Sequence, residues 1–305
     1  MNKFEEFSRQ NKIATKKMIR DFKKSLKDSI FDETLTLYIF RPISFIFLRM
    51  LYKTKITPNQ ISFMSIIAGM IGGAFFIAGT HFWFIMGGVM FAIATILDCL
   101  DGMIARLKNM GTYIGRIIDG VSDYITSIFI HVGFAMGIDN GQFDFPLNPW
   151  VLMILASIFN IMHSILVDYY KNEFMYYALG KGVNAGEEKE RFKQELKNLK
   201  SKKTKLLDKI VIAIYIGYTY LQTSQKDVQK KQYDKDKYYH SNKTLIHLWF
   251  LIGPNMHIVV LMIAAFLYMP MIYFYYTIIF GNLLMLVLWI IQIRINKKIR
   301  GNSGA

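Results

Sequence analysis

From Leu97 to Tyr124 the chain reads LDCLDGMIARLKNMGTYIGRIIDGVSDY. Four aspartates, Asp98, Asp101, Asp119 and Asp123, fall within 26 residues. The sequence on either side is apolar for long enough to cross a bilayer. Asp98 and Asp101 are three residues apart and Asp119 and Asp123 are four apart, so on helices each pair shares one face. The connection over 108–111 is short, which makes the two helices antiparallel neighbours and lets the two pairs converge in one cleft. Four carboxylates inside a membrane protein carry a large electrostatic cost unless a cation holds them.

The whole chain fits a membrane setting. Of its 305 residues 53% are hydrophobic, with 24 Phe, 18 Tyr and 18 Met, and the mean hydropathy is +0.25. A span needs about 20 mostly apolar residues. Six stretches qualify: 56–79, 82–107, 112–138, 149–170, 245–269 and 271–293. Thr57-Pro58-Asn59 suits a helix N-terminus at the first, and Pro270 marks the turn between the last two. The segment 34–52 is apolar but interrupted by Arg41, Pro42 and Arg49, and reads as an amphipathic helix on the inner membrane surface. The expected fold class is all-α integral membrane. It has six transmembrane helices, an N-terminal amphipathic surface helix and a basic cytoplasmic insertion between spans four and five.

Charge supports this arrangement. With the N-terminus inside, the outer segments are 80–81, 139–148 and the turn at Pro270, and none carries Lys or Arg. All 37 basic residues then fall on the inner side, where cytoplasmic loops collect them. The aspartates lie at the inner ends of spans two and three, so the expected active site faces the cytoplasm. Four regions follow: a basic N-terminus with the surface helix (1–55), spans one to four (56–170), the basic insertion (171–244), and spans five and six with a tail (245–305). Inside the insertion, 187–205 reads as a solvated helix. The segment 206–221 reads as a packed or interfacial helix, because its apolar run, 210–221, is short for a span.

A net charge of +15 would suggest nucleic acid in a soluble chain. In an apolar chain it points instead to cationic loops beside anionic lipid; membrane lipid is the expected partner and nucleic acid is not. The sole cysteine, Cys99, excludes an internal disulfide and any multi-cysteine metal site. The first 30 residues are polar and lysine-rich, without the apolar run of a secretory signal.

Carboxylates without a cysteine cluster or a nearby His pair call for a hard, oxygen-loving cation. Mg²⁺ or Mn²⁺ fits best, with Ca²⁺ next. Such ions at a carboxylate cluster commonly bind phosphate, neutralise a diphosphate and stabilise charge on a leaving phosphate. Gly102, Ala105 and Gly115 lie on the same stretch, and small residues let a ligand or a neighbouring helix approach the backbone. Arg106, one turn after Gly102, offers a cation to phosphate or to an aspartate.

This spacing resembles the CDP-alcohol phosphotransferase (phosphatidyltransferase) family, whose signature is D-x2-D-G-x2-A-R followed by G-x3-D-x3-D. Every position is filled here: Asp98, Asp101, Gly102, Ala105, Arg106, Gly115, Asp119 and Asp123. The resemblance implies an enzyme that passes the phospho-alcohol unit of a CDP-alcohol to a hydroxyl acceptor and releases CMP, in phospholipid synthesis. It implies that Asp98, Asp101 and Asp119 ligate Mg²⁺ or Mn²⁺, and that Asp123 takes the acceptor proton and also touches metal. Gly102, Ala105 and Gly115 would let cytidine and diphosphate lie against the backbone. Arg106 would meet phosphate or a structural partner, and Pro58 and Asn59 would lie near the cytidine. A homodimer is implied as well. CDP-diacylglycerol is the favoured donor, with a small polar alcohol such as inositol, inositol phosphate, serine or glycerol phosphate as acceptor. The alternative within the family is CDP-choline or CDP-ethanolamine with the lipid hydroxyl of diacylglycerol.

Other polar residues within the spans have two readings. Asn160, His163, Ser164 and Asp168 in span four, and Asn255 and His257 in span five, either shape an acceptor pocket or hydrogen-bond between helices. The second is favoured. Arg116 and Lys171 either bind an acceptor phosphate or snorkel to headgroups. Two other classes compete: a divalent-cation transporter using the acidic site, and a non-catalytic scaffold anchored through its insertion. The transporter would not need Gly102, Ala105 and Gly115 at this spacing, and the scaffold would leave Asp123→Asn silent in cells.

Overall fold

The computed structural model describes residues 16, 18–26, 36–111, 113–141, 143–145, 147–180 and 233–301, with backbone alone at 113–119, 300 and 301. Every regular element among them is helical. A short helix, α1, covers 18–25. A π-turn, Thr36–Phe40, runs into α2 (Arg41–Leu51). Then come α3 (Pro58–Ile77), α4 (His81–Leu107), α5 (Tyr113–Asn140) and α6 (Pro149–Leu179). Next among the described residues follow α7 (Lys235–Trp249), α8 (Pro254–Phe266), α9 (Met271–Phe274) and α10 (Gly281–Gly301). The helices expected at 187–205 and 206–221 lie outside the described residues.

Five helical stretches among the described residues are long and apolar enough to cross a membrane: Pro58–Ile77, His81–Leu107, Gly120–Asn140, Pro149–Leu179 and Met271–Ile299. A further pair, Lys235–Ile252 and Pro254–Phe266, bent by 40°, passes the same test when taken together, as a broken span or a re-entrant loop. The protein is therefore an all-α, multi-pass membrane protein. The bend divides the stretch 245–269, which reads as one span in the sequence. Pro254 has no N–H to donate, and its ring excludes the preceding turn. The chain accordingly passes through a 3₁₀ turn, Phe250–Ile252, and an extended Gly253 before α8 begins. The last stretch carries a π-turn, Tyr275–Phe280, between α9 and α10.

α6 outruns the expected span, 149–170, by nine residues. Asn148 caps its start by accepting from the Trp150 N–H at 2.9 Å, with Pro149 in the first turn. Lys171, Asn172 and Glu173 do not stop it, because the inward stripe Tyr170, Phe174, Ala178 continues. That stripe packs on α7, where the Tyr170 ring stacks on Trp249 at 4.6 Å and Tyr177 meets Tyr238 at 5.3 Å. Gly180, at φ +62°, ends the helix. The two ends of the insertion read as 171–244 are thus helical and packed on each other.

The chain forms two compact units, Met1–Ala74 with Val89–Ile130, and Phe75–Gly88 with His131–Ala305. The core of the first is Phe45, Leu48, Ile61, Leu100, Met103 and Ile104. On α4 the apolar positions 97, 100, 103, 104 and 107 recur at helical spacing and face this core, as an amphipathic helix requires. α2 buries Arg41, Ser44, Phe45 and Leu48 on one face and exposes Ile43, Ile46, Phe47 and Met50. Pro42 is tolerated in its first turn, where an N–H has no intrahelical acceptor. One core cluster of the second unit is Val167, Tyr170, Leu245, Ile246, Trp249, Phe250, Ile252 and Leu288.

Candidate functional site

Three local devices fix α3, α4 and α5 around the acidic residues, and all lie in the first unit. The first is the start of α3. Thr57 Oγ1 accepts from the Gln60 N–H at 3.4 Å while Gln60 Oε1 accepts from the Thr57 N–H at 3.0 Å. This reciprocal capping satisfies two donors that a helix start leaves open. Pro58 takes the first helical position, where its fixed φ suits the helix.

The second device ends α4. The Met110 N–H reaches back to the Ala105 carbonyl at 2.9 Å and the Asn109 N–H to the Arg106 carbonyl at 3.4 Å. Asn109 takes φ +53°, a left-handed conformation that asparagine tolerates and that closes a helix in this pattern. Lys108 Nζ then donates to the Thr54 carbonyl at 2.9 Å and the Ile56 carbonyl at 3.2 Å. The connection into α3 is thereby tied to the end of α4.

The third device is close packing by small and hydroxyl residues. Ser65 Oγ donates to the Ala94 carbonyl at 2.9 Å, and Ser44 Oγ to the Ile96 carbonyl at 2.9 Å. On the other side of α3, a Cβ on Gly69 would meet the Thr126 side chain, and one on Gly73 would meet the Phe129 carbonyl. α3 therefore lies backbone to backbone on α5. Glycines four apart permit such contact in membranes, and short hydroxyl side chains bond across it.

This frame carries the acidic residues. Asp98 and Asp101 occupy the α4 face that does not join the core; Asp98 is half-buried and Asp101 is 3% exposed. Ser62 Oγ donates to Asp101 Oδ2, and Ser62 is itself buried. Asp123 is exposed on α5. The backbone of Asp119 lies one turn before it; the side chains of Gly115, Arg116 and Asp119 lie outside the described residues. Among the described residues no group of three His, Cys, Asp or Glu side chains stands ready as a metal site. The donors that are described, the Asp98, Asp101 and Asp123 carboxylates, are hard oxygens. They suit Mg²⁺ or Mn²⁺ by chemistry.

Arg106 Nε donates to the Ser25 carbonyl at 2.6 Å, which binds the end of α1 to α4. Phe22 of α1 meets Phe45 edge to face at 5.0 Å. The Arg106 guanidinium also passes over Gly102, where a Cβ would lie 3.4 Å from both Nη1 and Nη2. A Cβ at 102 would thus sit in ordinary van der Waals contact with this arginine. Ala105 is half-buried, and its carbonyl closes the end of α4. Pro58 is half-buried at the start of α3 and Asn59 is exposed there. The first unit therefore holds Pro58, Asn59, Asp98, Asp101, Gly102, Ala105, Arg106, Gly115, Asp119 and Asp123.

The polar residues of spans four and five belong to the second unit. His163 Nδ1 lies 3.2 Å from His257 Nε2, and His257 Nδ1 lies 3.1 Å from Thr277 Oγ1. Ser164 bonds back to the Asn160 carbonyl at 2.8 Å. His163 and His257 thus join α6 and α8 to the π-turn, the inter-helix reading favoured for them. Ser62 and Ser25 are absent from the candidates taken from the sequence. Ser62 carries one usable signal, its place one turn after the Thr57-Pro58 start.

Comparison with known proteins gives a match to the CDP-alcohol phosphatidyltransferase family over residues 55–183. Three curated relatives each match part of the chain. The inner membrane protein YnbA of Escherichia coli is 30% identical over 105 residues, which are 33% of this chain and 52% of that protein. The bifunctional IPC transferase and DIPP synthase of Aquifex aeolicus is 29% identical over 120 residues, 39% of this chain and 26% of that protein. The phosphatidylinositol phosphate synthase of Corynebacterium glutamicum is 25% identical over 123 residues, 40% of this chain and 53% of that protein. The chain thus spans a quarter to about half the length of these relatives.

Proposed function

We propose that the chain, which matches the CDP-alcohol phosphatidyltransferase family over residues 55–183, is a membrane enzyme moving the phospho-alcohol unit of a CDP-alcohol to a hydroxyl acceptor with release of CMP. The observation that carries this is the complete signature from Asp98 to Asp123, with all eight positions in one compact unit. Asp98, Asp101 and Asp119 hold Mg²⁺ or Mn²⁺. When bound, the cation neutralises the diphosphate and stabilises the charge that develops on leaving CMP. Asp123, exposed at the inner end of α5, accepts the proton of the acceptor hydroxyl. That oxygen bonds to the phosphorus bearing the alcohol as the bond from this phosphorus to the CMP oxygen breaks. Gly102, Ala105 and Gly115 leave room for cytidine and diphosphate, Pro58 and Asn59 flank the cytidine, and Arg106 orders the same face of α4.

The donor in this reading is CDP-diacylglycerol. The Corynebacterium relative is by name a phosphatidylinositol phosphate synthase, which puts inositol phosphate first among the acceptors. The active site faces the cytoplasm, since the inner ends of α4 and α5 adjoin the basic segments. α2 lies at the inner membrane surface, its exposed Ile43, Ile46, Phe47 and Met50 turned to lipid. The region 171–244 stays on the cytoplasmic side, and two copies pair as a homodimer.

The test is CMP release by the purified full chain in detergent with Mn²⁺ and CDP-diacylglycerol, supplied with inositol phosphate or with the other alcohols in turn. Asp123→Asn is assayed beside it. Metal-dependent release that Asp123→Asn abolishes is expected. Release only from CDP-choline or CDP-ethanolamine with diacylglycerol would reassign the donor. A folded protein that releases no CMP from either donor class would sink the transferase reading.

A further inference from the structure

Asp101 is the most buried of the described signature aspartates, at 3% exposure. A buried carboxylate must have its oxygens placed by hydrogen bonds or a cation. Ser62 supplies one such bond across 39 residues of sequence, donating to Oδ2, and is 4% exposed itself. The Ser62 hydroxyl has a single proton and two acceptors in range, because the Pro58 carbonyl lies 3.2 Å away. That carbonyl already faces the Ser62 N–H in the helix ladder. The carboxylate is the stronger acceptor and takes the proton.

We propose that Ser62 is a positioning residue for Asp101, fixing the orientation in which its carboxylate would ligate the divalent cation; this rests on reading Asp101 as a metal ligand. The position of the hydroxyl is preset. The Thr57–Gln60 capping pair fixes where α3 starts, and Ser65 on the Ala94 carbonyl fixes its register along α4. A serine held this way costs no reordering when the cation arrives. Partners of ligating carboxylates typically contribute about 10- to 100-fold in metal affinity.

The full chain in detergent is titrated with Mn²⁺, and free Mn²⁺ is read by its electron paramagnetic resonance signal, so no turnover is needed. Wild type, Asp101→Asn, Ser62→Ala and Ser62→Thr are compared. Ser62→Ala is expected to weaken Mn²⁺ binding by about tenfold or more, and Ser62→Thr, which keeps the hydroxyl, to stay within about threefold of wild type. Should Ser62→Ala melt early, Ser62→Cys keeps the size with a weaker donor and is expected to bind Mn²⁺ several-fold more weakly. If Asp101→Asn weakens binding while the serine variants bind like wild type, Ser62 is only a packing residue and the proposal is overturned. If Asp101→Asn binds like wild type, the metal reading of Asp101 falls, and the proposal with it.

Discussion

A methyl group on Gly73 should push α3 away from α5. A Cβ built there lies 2.8 Å from the Phe129 carbonyl carbon and nearer still to its oxygen. Carbon atoms rest about 3.5–4.0 Å apart, so the helices must part by roughly 0.7–1.2 Å at this level. Neither side can yield by turning a side chain, because both surfaces are helix backbone. Overpacking of this kind costs about 1–3 kcal/mol, and alanine returns up to about 1 kcal/mol over glycine within a helix. The net expectation for Gly73→Ala is a loss of about 1–2 kcal/mol, or several degrees in melting temperature at roughly 2–4 °C per kcal/mol. Gly120→Ala is the control for stability. Among the described residues nothing lies within 4 Å of a Cβ at Gly120, so that variant should melt at or above wild type. Activity should suffer beyond stability, because α3 carries Ser62 and α5 carries Asp123. A 1 Å displacement of catalytic groups can cost about 100-fold in rate. Melting and CMP release are measured on both variants, well below either melting point. If Gly73→Ala melts with Gly120→Ala and keeps the wild-type rate, α3 and α5 are not in backbone contact at Gly73.

Arg106→Lys loses the Nε donor to the Ser25 carbonyl, and an ammonium does not reproduce the planar fork. A charged hydrogen bond of about 1.5–3 kcal/mol is removed, so trypsin should cut at Lys23 and Lys24 of α1 about tenfold faster or more; an unchanged rate would refute the tether. Thr277→Val keeps the shape but leaves His257 Nδ1, on a residue 1% exposed, without its partner at 3.1 Å. The expected loss is about 1–3 kcal/mol, read as a lower melting temperature, and an unchanged melting curve would show that this bond is not made.

The acidic residues and the spans were legible because both are local signals. Helical spacing puts Asp98 with Asp101 and Asp119 with Asp123, and an apolar run of bilayer length needs no partner to be recognised. What was not legible depends on pairing between distant residues. Lys171, Asn172 and Glu173 read as the end of a membrane span. The stripe through Phe174 and Ala178 gains meaning only when Tyr238 and Trp249 of α7 are beside it. The break at Gly253-Pro254 was written plainly in the sequence, but a count of apolar residues across 245–269 passes over it.

Ser62 was invisible for a related reason. A lone serine in an apolar helix most simply bonds back to its own turn, and its carbonyl partner, Pro58, is in range. Only the register of α3 on α4 brings Asp101 to it. That register is set by α3 itself, through Ser65 toward α4 and through Gly69 and Gly73 toward α5. The helix that fixes both aspartate-bearing helices therefore carries no aspartate of its own. A search for acidic motifs passes it by, yet a one-carbon change at Gly73 or a one-oxygen change at Ser62 acts on the same carboxylates.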